Sequence, residues 1–118
     1  MPRQLLFVLF SNDSCKRNHA FAWALELHRA GQHVRLLLEG EGVQCMREQT
    51  GVFAERFAEA LSAGLLVGAC KTASCGCSTP ERDVTAVAES LGVPLLDSLE
   101  GHAGVADFVA AGYELVIF

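Results

Sequence analysis

The chain has 118 residues, enough for one domain with a single core, and 51% of them are hydrophobic, which excludes a disordered polypeptide. Its net charge of −5, with basic residues (Arg3, Lys16, Arg17, Arg29, Arg35, Arg47, Arg56) scattered rather than massed, argues against a phosphate-backbone partner, so no nucleic acid is expected. The first apolar run, 5–10, is too short for a membrane span and lacks the small-residue cleavage site of a signal peptide, so neither a membrane nor export is expected.

Residues 5–10 are continuously apolar and stop at the turn-formers Ser11-Asn12-Asp13-Ser14, the pattern of a strand buried on both faces. Good helix formers follow over 15–30, with Asp13 or Ser14 as N-cap and Gly31 suited to the left-handed position after the helix. Residues 33–38 read as a second strand, broken by the flexible Glu39-Gly40-Glu41-Gly42. Phe53, Phe57, Ala60 and Leu61 recur at helical spacing up to Gly64, and 65–69 form a third strand. Thr79-Pro80-Glu81-Arg82 resembles a helix start, with Val84, Val87, Ala88 and Leu91 as the inward stripe. Residues 93–96 are a short strand, Val105, Phe108 and Val109 mark a last helix, and 114–118 a final strand. Five strands alternating with four helices predict a single domain, 1–118, of α/β class: a three-layer α/β/α sandwich around a five-stranded parallel sheet.

Ligands of open parallel sheets gather at the carboxyl ends of the strands, and all five cysteines fall in or beside the segments expected there. An odd number of thiols in a chain apolar enough to fold without staples indicates free cysteines in a reducing compartment, and the cytoplasm is the expected location. The densest group is Cys70-Lys71-Thr72-Ala73-Ser74-Cys75-Gly76-Cys77, directly after the third strand. Nucleophilic sulfur requires thiolate, which a cation or helix N-terminal amides favour; Lys71 supplies the cation and the helix beginning near Pro80 the amides. Cys15, beside Lys16 and Arg17, has a related setting of lower rank, and His102 is a possible base if the fourth strand borders the third. The spacings Cys-x4-Cys and Cys-x-Cys lack the Cys-x-x-Cys of thioredoxin-type exchange. A soft metal such as zinc or copper, held by Cys70, Cys75 and Cys77 with His102 or Cys15 as fourth ligand, is the alternative chemistry, although the paired spacing of structural zinc is absent. The glycines of 39–42 match no phosphate-loop pattern. No cofactor is expected.

In the order of these elements the chain resembles the DsrE/DsrF-like superfamily of small sulfur-relay proteins, which includes the Tus subunits and the YchN-like proteins. The resemblance rests on the opening strand-loop-helix, on Glu41-Gly42-Val43 after the second strand, on a third strand leading to Cys70, and on Gly112-Tyr113-Glu114-Leu115-Val116-Ile117-Phe118. It implies a five-stranded parallel sheet and homo- or hetero-oligomers such as trimers and hexamers. It also implies a cysteine after strand three, at Cys70, that passes persulfide sulfur between donor and acceptor proteins. Cys75 and Cys77 depart from the commoner single-cysteine or Cys-x-x-Cys versions. A non-catalytic oligomeric scaffold with incidental cysteines is a third reading.

Helix one bears on the oligomer. Ala20, Phe21, Trp23, Ala24, Leu25 and Leu27 cover more than the stripe of about 100° that one sheet buries. Either a subunit contact or deep packing by neighbouring loops accounts for that breadth.

Overall fold

Each of the apolar runs becomes a strand of one sheet: β1 (Gln4–Leu9), β2 (His33–Leu38), β3 (Leu66–Cys70), β4 (Leu95–Leu96) and β5 (Glu114–Ile117). The computed structural model describes residues 2–76 and 79–118. All four pairings are parallel, and the strand order is β4-β3-β2-β1-β5. The chain steps from β1 through β4 in one direction and then returns across the sheet to β5. Crossovers of one hand in one direction place their helices on one face, and the reversed crossover places its helix on the other.

The two cores follow that division. Phe7, Leu9, Val34, Leu36 and Leu38 face α1 (Ser14–Arg29), α2 (Gly51–Ser62) and α4 (Thr85–Leu91), packing against Phe21, Leu25, Phe53, Phe57 and Ala88 in the main cluster. The alternate residues Leu6, Val8 and Leu37 face the other way, with Cys70, Ala103 and the half-buried Val105 and Phe108. Among the described residues, this second layer contains one short helix, α5 (Ala106–Ala110). The domain is a three-layer α/β fold with one thick and one thin outer layer.

Helix α1 divides its large residues between interior and surface. Phe21 is buried, with ring centroids 5.1 Å from Phe53 and 5.4 Å from Phe57. Trp23, by contrast, is 49% exposed and leans on His19 and Phe118. The helix is capped where expected, the Asp13 carboxylate accepting the Lys16 N–H at 3.0 Å.

Two segments differ from expectation. The stretch opening with Glu39-Gly40-Glu41-Gly42 is not a flexible loop but the start of a 3-10 helix, Gly40–Arg47, with Val43, Cys45 and Met46 buried. Glycine makes this possible: a Cβ on Gly42 would stand 1.9 Å from the Leu9 carbonyl oxygen, so only glycine lets this backbone lie on the end of β1. Near Pro80 there is only one 3-10 turn, Pro80–Arg82, and α4 begins at Thr85, whose N–H donates to the Asp83 carboxylate. The turn is held over the 40–47 helix by Gln44 and Arg47, which donate to the carbonyls of Arg82, Glu81 and Asp83, and by an Arg82–Glu41 ion pair. Between β3 and that turn lies a further short helix, α3 (Lys71–Ser74).

Candidate functional site

Three adjacent strands deliver one reactive side chain each to the carboxyl edge of the sheet. Cys70 is the last residue of β3, Glu39 follows β2, and His102 lies in the connection after β4. Because β2 and β4 flank β3, the three converge: Glu39, Cys70 and His102 place a carboxylate oxygen, a sulfur and an imidazole nitrogen all within 4.8 Å of one another. Cys70 Sγ lies 3.6 Å from His102 Nδ1. Cys70 is fully buried, Glu39 half-buried and His102 exposed, so the imidazole is the outermost member.

His102 is set by a tight turn. Leu99 and His102 exchange both backbone hydrogen bonds, 2.9 and 2.8 Å, around Glu100 and Gly101 with φ of 49° and 91°. Two successive left-handed residues make a reversed hairpin turn, which favours glycine at the second position. Thr72 of α3 then ties this turn to the cysteine loop: its N–H (3.1 Å) and its hydroxyl (2.6 Å) both donate to the Gly101 carbonyl. The spacing of His102 from Cys70 is therefore fixed by backbone anchors on both sides.

The sulfur itself is the N-cap of α3 and accepts the Ala73 N–H at 3.5 Å. Burial pushes the Cys70 thiol above its ordinary range. The Ala73 N–H pulls it down, the bond the thiol donates to the Glu39 carboxylate raises it again, and the Ala103 N–H lowers it. At neutral pH the group rests as a thiol between an acceptor carboxylate and an imidazole.

The other cysteines have different settings. Cys75 is exposed and donates its S–H to the Thr72 carbonyl at 3.0 Å. Cys77 lies outside the described residues. Cys15, exposed in the first turn of α1, sits 3.5 Å from His19 Nδ1, an i,i+4 thiol–imidazole pair. Cys45 is packed in the main core, and burial raises its thiol to about 12. Lys71 is exposed, its ammonium 3.6 Å from Asp97, and the amides serving Cys70 come from α3 and Ala103 rather than from the turn at Pro80.

Spacing along the chain does not single out Glu39 or His19. The signal for Glu39 is topological: in a sheet whose strands two and three are neighbours, the residue after strand two must stand beside the residue ending strand three. The signal for His19 is its helical offset from Cys15. Among the described residues, the group able to hold a metal ion is Glu39, Cys70 and His102, which includes Cys70 and His102 but not Cys75 or Cys15. No described helix is long and apolar enough to cross a membrane. Comparison with models of known protein families, with curated proteins and with solved structures finds no match.

Proposed function

We propose that the protein is a sulfur carrier that holds sulfane sulfur on Cys70 and hands it to a partner protein, as the DsrE/DsrF-like relay proteins do. The observation that carries this reading is a cysteine at the end of the third strand, capping a helix, with an imidazole 3.6 Å away and a carboxylate bonded to it. Cys70 transfers its proton to His102, and the thiolate attacks the terminal sulfur of the donor's persulfide. The donor S–S bond breaks, the donor sulfur leaves as thiolate and takes the proton from His102, and Cys70 is left as Cys-S-SH with no net oxidation. A thiol whose ionisation is opposed is the stronger nucleophile once deprotonated, so the weakened acidity of Cys70 suits a carrier that is inert until a donor engages it.

The donor approaches from the side of the exposed His102 ring, the outermost member of the group. Cys75, solvent-facing a few residues along, is placed to receive the sulfur or to resolve it as a disulfide, with Cys77 as the neighbouring thiol; Lys71 and Cys15 are accessory positive and thiol groups on the same edge. This activity belongs to a reducing, cytoplasmic setting and to a homo-oligomer or a complex with paralogues, for which the exposed Trp23, Leu115 and Ile117 offer apolar surface.

The test is the intact mass of the reduced, metal-free protein after exposure to a persulfide donor, with Cys70→Ser, Cys75→Ser and Cys77→Ser alongside. A gain of one sulfur atom that reductant reverses and Cys70→Ser abolishes is expected. No gain in any form sinks the carrier reading.

A further inference from the structure

We propose that Glu39, Cys70 and His102 form a site for one thiophilic divalent cation, with zinc the best fit, in which three protein ligands leave a fourth position toward solvent. The proposal uses the same sulfur as the carrier reading but does not depend on it.

Geometry is the first argument. Across a tetrahedral zinc ion with Zn–S about 2.3 Å and Zn–N about 2.0–2.1 Å, sulfur and nitrogen stand about 3.6 Å apart. Cys70 Sγ and His102 Nδ1 already have that separation, 3.6 Å. The Glu39 carboxylate oxygen lies within 4.8 Å of both, so a side-chain adjustment on the order of 1 Å brings it to the corresponding distance. Charge is the second. The ion displaces the thiol proton, and thiolate and carboxylate then carry two negative charges in a pocket where one group is fully buried and the other half-buried, which a divalent ion cancels. Donor type is the third: sulfur and imidazole select zinc-like ions over magnesium and calcium, which prefer oxygen. The supporting bonds also match a ligand set held in place. Gly40 N–H donates to Glu39 Oε1 (2.8 Å), Ala73 N–H to the sulfur, and Thr72 pins the turn that carries His102. Three ligands plus an open position describe an exchangeable or catalytic ion rather than a structural one. Because ion and persulfide compete for Cys70, bound zinc blocks sulfur loading.

Titration of the reduced, metal-free protein with Zn²⁺ against a chromophoric chelator, repeated with Co²⁺, tests this without any persulfide. One ion per chain, proton release on binding, and a thiolate-to-cobalt absorption band are expected. Cys70→Ser removes the band; His102→Ala, at an exposed position, and the conservative Glu39→Gln each weaken binding by more than the roughly tenfold lower bound for loss of an outer partner. Cys15→Ser, Cys75→Ser and Cys77→Ser leave it unchanged. Three results overturn the proposal: no binding by the wild-type chain, binding that survives both His102→Ala and Glu39→Gln, or binding lost in Cys75→Ser or Cys77→Ser. A chain that binds zinc yet gains no sulfur refutes the carrier alone, and the converse refutes the metal site alone.

Discussion

At Cys70 the competing influences are separable. Burial and the Glu39 carboxylate hold the proton on, while the Ala73 and Ala103 amides favour its release, and the net result is a thiol that ionises above its ordinary range. Glu39→Gln removes the anionic neighbour and keeps the side-chain shape. The alkylation rate of Cys70, followed against pH in a chain whose other cysteines are serine, should then reach its midpoint at lower pH than with Glu39 present. An unchanged midpoint means that the carboxylate does not act on the sulfur. His102→Ala in the same background removes the ring that stands outside the sulfur, so its alkylation should speed up.

Among the elements, the turn at Glu100-Gly101 decides where His102 stands. Gly101→Ala forces a β-carbon into a left-handed residue, at a cost of about 1–2 kcal/mol, and sets it 2.9 Å from the Thr72 hydroxyl. Gly31 has nearly the same φ, 88°, but open space around it. Gly101→Ala should therefore lower the urea midpoint more than Gly31→Ala, which carries the backbone strain alone, and only Gly101→Ala should change the alkylation rate of Cys70. Equal effects on Cys70 would show that the turn does not position the histidine.

The same scale shows what was legible in the sequence. Continuous apolar runs, helix caps and terminal glycines identify all five strands and the long helices, because each is a local property of consecutive residues. The 40–47 helix escapes local reading, since Gly40 and Gly42 signal flexibility until the approach to the Leu9 carbonyl is known. Cys70 and His102 are visible as residue types at strand ends, but their partner Glu39 becomes visible only with strand order. The short helix α3 and the turn that meets it are fixed by Thr72 bonding to Gly101, a contact between segments that no periodicity encodes.

For the whole molecule, the thick layer holds most of the buried apolar side chains and contains Cys45, whose burial raises its thiol. Cys45 releases its proton at about 12 when folded, against 9.0 for an ordinary thiol. The folded state thus keeps a proton that the unfolded chain loses, so the stability this gives is complete below about pH 9 and disappears as pH rises toward 12. Three units at about 1.36 kcal/mol each set the loss on the order of 4 kcal/mol. Urea unfolding of the reduced protein at rising pH should show that decline, and Cys45→Ala should flatten most of it. A slope unchanged by Cys45→Ala would assign the alkaline loss to other groups.

The strand order also separates the two flanks of β1 along the chain. On one side β1 pairs with β2, the next strand, and on the other with β5, the strand farthest from it in sequence. Until residues Glu114–Ile117 arrive, the backbone of Leu5, Leu6, Phe7 and Val8 presents an open, apolar edge onto which another unfinished chain can add. The last strand is thus a seal placed on the first, and the yield of refolding should fall with protein concentration more steeply than the finished domain's own solubility would suggest.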